Sequence, residues 1–165
     1  SKGFYTLILK DEATEVLSDL KLDMIFECEF NELSPFTFIC NKRSSFKIIN
    51  KKDSPFPKLD SIKCKIIDLT DSKSPNMLEV MSLSKTIIQD IITKNGETVT
   101  KIEVLVGDET KEIKLVAWRD LSDILSDITP GQRLRLIGVV SSKGLGGSNE
   151  LLVKSYSCIE KIFDV

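Results

Sequence analysis

Trp118 is the only tryptophan in this 165-residue chain, and the cations near it raise the first chemical question. The strand Ile113-Lys114-Leu115-Val116-Ala117-Trp118 alternates, so Lys114, Val116 and Trp118 share one face and Ile113, Leu115 and Ala117 the other. Arg119 follows at once. An exposed indole among ammonium and guanidinium groups can stack an unpaired base while the cations hold its phosphates. An indole laid against a neighbouring helix would be a packing group instead, and alternation alone leaves both readings open. Arg133 and Arg135 alternate with Leu134 and Leu136, either as phosphate contacts or as a solvated face. Lys143 and Lys154 border a glycine-rich loop and the last strand, Lys94 sits at a hairpin, and Lys101 lies on the strand before Trp118. Glu103 shares the Lys101 face and would oppose a phosphate. Tyr156 offers a second ring, for stacking or for structure.

Other chemistries are excluded by what is missing. With no histidine, Ser-His-Asp triads, Cys-His nucleophiles, His general bases and His-containing zinc sites all fall together. The cysteines at 28, 40, 64 and 158 contain no C-x-x-C pair, which excludes a zinc ribbon and reads as reduced packing thiols. Cys28 alternates with Phe26 and Phe30, and Cys158 adjoins Ile159. Gly144-Leu145-Gly146-Gly147-Ser148 lacks the spacing of a phosphate-binding loop. Asp108 and Glu109 read as turn formers. The expectation is a protein that is not an enzyme, with no cofactor, metal or small-molecule substrate. Lys and Arg number 23 against 25 Asp and Glu, so bulk charge identifies no partner, although a local basic groove remains open. No apolar run approaches the ~20 residues of a membrane span, and the N-terminus alternates instead of carrying a signal-peptide core. The expected setting is intracellular, away from membranes.

These side chains need a scaffold, and most of the chain has period two. Strands are expected at Tyr5–Leu9, Met24–Phe30, Phe36–Cys40, Phe46–Ile49, Ile62–Ile67, Val99–Val106, Ile113–Trp118 and Leu134–Val140, with one or two more across Leu151–Ile162. Leu78–Ile92 is long for one strand and should bend. Asn95-Gly96 marks a hairpin whose turn positions both call for positive φ. Apolar residues at 121, 124, 125 and 128 predict a helix over Leu121–Ile128, ended by Pro130-Gly131. The Pro-rich, charged stretch 50–57 separates a unit at 1–56 from one at 57–165.

The two units repeat one another. Val16-Leu17-Ser18-Asp19-Leu20 corresponds to Ile124-Leu125-Ser126-Asp127-Ile128 at an offset of 108, as do Leu7 to Leu115, Phe26 to Leu134 and Cys28 to Leu136. Beyond the next loop the offset becomes about 113, so that Ile49 meets Ile162. Only Ser1-Lys2-Gly3 precede the first copy of this pattern, where the second has two further strands. The first unit therefore reads as the back half of a domain, and the chain as a fragment of something longer. Lys10 stands where the second copy has Trp118, and residues 1–50 carry six Lys/Arg against eight Asp/Glu. That acidic unit should bind nucleic acid poorly.

The order strand, hairpin, strand, Asp-x-Thr turn, strand ending in Trp, short helix, Pro-Gly, strand, Gly-rich loop, strand is carried by Val104-Leu105-Val106-Gly107-Asp108-Glu109-Thr110, Ile113–Trp118 and Ile128-Thr129-Pro130-Gly131-Gln132-Arg133-Leu134-Arg135-Leu136. Over residues 67–165 it resembles the single-stranded DNA-binding OB domains of replication protein A, especially the archaeal forms. The resemblance implies an all-β fold with a short helix: a five-stranded OB barrel preceded by a partial OB-like repeat. It implies a stacking role for Trp118, single-stranded DNA and other subunits of a replication protein A-like complex as partners, and work in replication, repair and recombination. The compartment would be the nucleoid in an archaeal cell and the nucleus in a eukaryotic one. Lys111 departs from the glycine that usually closes the turn, and Leu145 stands where the family often has a second stacking aromatic. Two other uses of the same fold are protein assembly with little DNA contact, and RNA binding.

Overall fold

The computed structural model describes residues 6–11, 14–15, 24, 26–34, 37–41, 43–48, 59–70, 74–144 and 146–163. The repeat segment Val16–Leu20, residue Leu145 and the stretch 50–57 lie outside them. The chain divides into two compact units, Ser1–Ile62 and Lys63–Val165. Strands in the first are β1 (Thr6–Leu9), β2 (Phe26–Cys28), β3 (Asn31–Ser34), β4 (Thr37–Cys40) and β5 (Phe46–Ile48). In the second they are β6 (Pro75–Ser82), β7 (Ile87–Ile92), β8 (Thr98–Gly107), β9 (Glu112–Trp118), β10 (Arg133–Lys143), β11 (Asn149–Leu152) and β12 (Cys158–Ile162).

The second unit closes on itself. β6 pairs with β8, β8 with β9, β9 with β11, β11 with β10 and β10 with β6, a ring of five strands in which only β9 and β11 run parallel. This is an OB-fold barrel. Alternation fills it: Leu78 and Val80, Ile102, Val104 and Val106, Ile113, Leu115 and Ala117, and Leu134 and Leu136 all point into one core. The long segment 78–92 does bend. It splits into β6 and β7 around Ser84, whose hydroxyl accepts from the Leu105 amide at 3.0 Å while Leu83 N–H reaches Leu105 O at 2.8 Å. The last strand also splits, into β11 and β12, and both pair with β10. The break is held by Ser157, whose hydroxyl accepts from the Lys154 amide at 2.9 Å and donates to Gly138 O at 2.8 Å. Gly138 has φ +74 at the bulge in β10, a conformation that penalises any β-carbon.

Several expectations are corrected. Ile62–Ile67 is no strand but two 3-10 turns, Leu59–Ile62 and Ile66–Asp68. Side chains take the amides that a ladder would have used: Ile66 N–H donates to Asp108 Oδ2 at 2.8 Å, and Ile67 N–H to Thr110 Oγ1 at 3.2 Å. Asp108 Oδ1 also accepts from the amides of Thr110 and Lys111, at 2.8 and 3.0 Å. The Asp-x-Thr turn thus clips the incoming chain to the barrel and seats Ile66 in the core. The helix over Leu121–Ile128 is a 3-10 helix over Arg119–Leu125, because Arg119 adopts φ +57 directly after the extended Trp118 and starts the turn early. At the β7–β8 hairpin only Gly96, not Asn95, has positive φ; Thr93 O and Oγ1 accept from the Gly96 and Glu97 amides and complete the turn. Cys158 is exposed instead of packed.

The first unit repeats the second at the level of register. β1 runs parallel to β4 with Leu7 opposite Phe38; β9 runs parallel to β11 with Leu115 opposite Leu151. These pairs are related by the offsets of 108 and 113. The same offsets carry Phe26↔Ile48, Glu27↔Lys47 and Cys28↔Phe46 onto Leu134↔Lys161, Arg135↔Glu160 and Leu136↔Ile159. Among the described residues only two besides glycine have positive φ, Asp11 and Arg119, again 108 apart. Arg119 directly follows Trp118 at the end of β9, and Asp11 follows Lys10 just past the end of β1. The repeat is therefore a shared backbone path as well as a shared apolar pattern.

Candidate nucleic-acid interface

The outer face of β8 and β9 is built by alternation and set by register. Lys101 lies opposite Trp118, Glu103 opposite Val116 and Leu105 opposite Lys114. β7 extends the first row, since Gln89 pairs with Lys101. Trp118 is half-buried, with the Lys101 ammonium 5.7 Å from its ring centroid, a cation–π distance. One side of the indole is occupied and the residue still meets solvent, which is what a stacking platform requires. Val116 departs from the expected exposure: it is fully buried although it lies outside the barrel core cluster.

Glu103 governs the charge of this face. Its carboxylate is 2.7 Å from Lys101 Nζ and 2.9 Å from Lys114 Nζ, and the residue is buried. Hydrogen bonds from Lys101 and then Lys114 hold its pKa below the usual carboxylate range despite burial. The opposition to phosphate expected of Glu103 is thus real, and it neutralises two of the predicted cations.

Two loops bracket the face. At the Trp118 end lies the β7–β8 hairpin with exposed Lys94. Glu97 of that hairpin makes a two-pronged ion pair with Arg119, with Nη2 to Oε2 at 2.9 Å. The pairing lowers the Glu97 pKa and raises that of Arg119, so Arg119 acts as a strut between loop and strand. At the Lys114 end lies the loop between β10 and β11. It is closed by Gly144 N–H to Ser148 O and Gly147 N–H to Gly144 O, both 2.9 Å, and it begins at exposed Lys143. A β-carbon on Gly144 would lie 2.5 Å from the Glu150 carboxylate, the mobile end of a side chain that would have to swing aside. Lys94 and Lys143 have no acidic partner among the described residues.

The remaining candidates go elsewhere. Arg133 and Arg135 do point out of the barrel, but β10 at that point lies between β6 and β12, not beside β9. Arg135 donates to Glu79 at 2.9 and 3.1 Å and to Glu160 at 3.4 Å, and the structure does not bring it to Trp118. Lys154 and Tyr156 sit at the β11–β12 break; Tyr156 is exposed and leans on Gly138, with Cδ2 3.4 Å from the position a β-carbon would take there. Sequence reasoning missed Glu97, Glu79 and Glu160, because an acid becomes a partner only once register is known. Among the described residues no group of His, Cys, Asp or Glu is placed to hold a metal, and no helix is long and apolar enough to cross a membrane.

No protein-family model and no curated protein matches the sequence. Solved structures match by fold. The replication factor A related protein of Methanobacterium thermoautotrophicum superposes with a TM-score of 0.51 at 20% identity, over 61% of this chain and 90% of that one. The HINb domain of p204 gives 0.61 at 15% identity over 98% and 80% of the two chains. A replication protein A heterotrimer bound to single-stranded DNA gives 0.59 at 15% identity over 95% of this chain and 40% of that one. At these identities the likeness is one of fold: the chain carries an OB barrel preceded by a partial OB unit, and it resembles the OB domains of replication protein A.

Proposed function

We propose that the second unit binds single-stranded DNA across the β8–β9 face, as a module of a replication protein A-like protein in replication, repair and recombination. The observation that carries the reading is Trp118, partly exposed on the outer face of β9 with Lys101 beneath it, between two loops that each present an unpaired lysine. A base stacks on the indole, its neighbours run along the face, and Lys94, Lys114 and Lys143 meet phosphates. Arg119 shapes the hairpin and Arg135 takes no part. The replication protein A heterotrimer of the same fold is bound to single-stranded DNA, which supports the choice of ligand. Other subunits of such a complex are the proposed protein partners.

A protein-assembly role is the second reading, and Glu103 is what favours it, since it already satisfies Lys101 and Lys114. Anisotropy titrations with oligo-dT, oligo-rU and a duplex at two salt concentrations separate the two. About three phosphate contacts predict a log–log salt slope near −2 for single strands, at about −0.7 per contact. One stacked base and few cations predict micromolar or weaker affinity, with the duplex weaker than oligo-dT because its bases offer no open face. No binding to any oligonucleotide at low salt supports assembly.

A further inference from the structure

Strand β7 presents a second, largely apolar surface. Its sequence is Ile87-Ile88-Gln89-Asp90-Ile91-Ile92, four isoleucines in six residues. It pairs with β8 along one edge, and its other edge has no partner among the described residues. Ile87, Ile88 and Ile92 are 48%, 62% and 74% exposed. An open edge normally carries lysine, proline or a bulge that blocks further pairing. This one has none of them, and its single charge, Asp90, accepts a hydrogen bond from Thr100 at 3.0 Å.

We infer that β7 pairs antiparallel with β7 of a second copy of this chain. Strand β7 complements itself. A twofold axis through Gln89 sets Gln89 against Gln89 of the second copy, Ile87 against Ile91, and Ile88 against Asp90, all on matching faces. An axis through Asp90 sets two carboxylates against each other and is disfavoured. The Gln89 register gathers four isoleucines from Ile87 and Ile91 on one face and leaves no like charges directly opposed. Because Gln89 belongs to the row Lys101–Trp118, the row continues through the junction to Lys101 and Trp118 of the second copy. Five strand steps of about 4.8 Å place the two indoles about 24 Å apart along one twisted six-stranded sheet. A pair of six-residue strands buries less than the ~1,200 Å² of a tight interface, so the dimer is weak and concentration-dependent.

Sedimentation velocity from micromolar to near-millimolar protein, in reductant and without nucleic acid, tests the pairing. The wild type should move from monomer toward dimer. Ile87→Lys should weaken the dimer at least about tenfold, as edge lysines do. Ile88→Lys, which meets Asp90 of the second copy, should keep it. Both positions are exposed, so melting curves should match the wild type. A wild type monomeric throughout, an Ile87→Lys variant that associates equally well, or loss of the dimer in Ile88→Lys overturns the inference. The continuous binding row rests on the nucleic-acid reading, and the two fail separately. A dimer that binds no oligonucleotide refutes the binding role alone, and a monomer that binds oligo-dT refutes the pairing alone.

Discussion

Glu103→Gln tests whether nucleic acid crosses the β8–β9 face. In the structure one carboxylate holds Lys101 at 2.7 Å and Lys114 at 2.9 Å. A phosphate that takes either ammonium at a similar distance sits about 5–6 Å from that carboxylate. At an effective dielectric between ~20 and ~80, two unit charges about 6 Å apart repel by about 0.7–2.8 kcal/mol. Screening in moderate salt narrows the expected gain to about 1–2 kcal/mol, a roughly 5- to 30-fold rise in affinity for oligo-dT. The freed lysine adds a phosphate contact, so the salt slope should steepen by about 0.7. Glutamine keeps the shape and one acceptor, and the fold should lose about 1–3 kcal/mol by leaving the part-buried Lys101 without its counter-charge. Anisotropy at several salt concentrations and a melting curve on the same sample supply all three quantities. A folded Glu103→Gln protein with unchanged or weaker affinity and an unchanged slope would show that the strand does not pass over this face.

Other perturbations probe the remaining parts. Arg135→Ala should leave oligo-dT affinity within about twofold, since Arg135 pairs with Glu79 and Glu160 on the strands that flank β10, away from β9, and should cost about 1 kcal/mol of stability at most. Burial pushes the Asp108 pKa up, but hydrogen bonds from Thr110, Ile66 and Lys111 outweigh it and leave the group low. Its stabilisation is therefore complete above the unfolded value of about 3.9 and is lost as pH falls through the folded value, so the protection of the Ile66 amide against exchange, measured relative to the intrinsic rate at each pH, should fall on acidification below about pH 4. Gly138→Ala puts a β-carbon at φ +74, 3.4 Å from Tyr156, and should lower stability by about 1–2 kcal/mol in a thermal melt.

The parts of the fold legible in the sequence were those that depend on alternation. Ile113, Leu115 and Ala117 read as core and are core, and the repeat at 108 and 113 recovers strand pairing because both copies pair the corresponding strands in the same register. Reading failed where a side chain replaced a backbone partner. Ile62–Ile67 has the apolar content of a strand, but the amides of Ile66 and Ile67 belong to Asp108 and Thr110, more than 40 residues away in sequence. The site divided along the same line. Trp118 and Lys101 share a row that alternation and a hairpin can predict. Arg133 and Arg135 have the right residue type on the right kind of face, but which strands flank β10 is a property of barrel closure that no local pattern encodes. Charge was the least legible property: Lys101, Lys114, Arg119 and Arg135 read as available cations, and register gives each an acidic neighbour.

The binding claim rests on Trp118, and the intrinsic fluorescence of this one indole reports on it directly. Titrating oligo-dT at low salt should quench the emission in step with anisotropy, and Trp118→Ala should weaken binding by about 1–3 kcal/mol, the range for one lost stacked base. The variant should melt near the wild type, because a ring that meets solvent leaves no sealed cavity behind. An emission that ignores added oligo-dT, together with a Trp118→Ala protein destabilised by about 3–5 kcal/mol as for a buried aromatic, would assign the indole to packing and contradict the account.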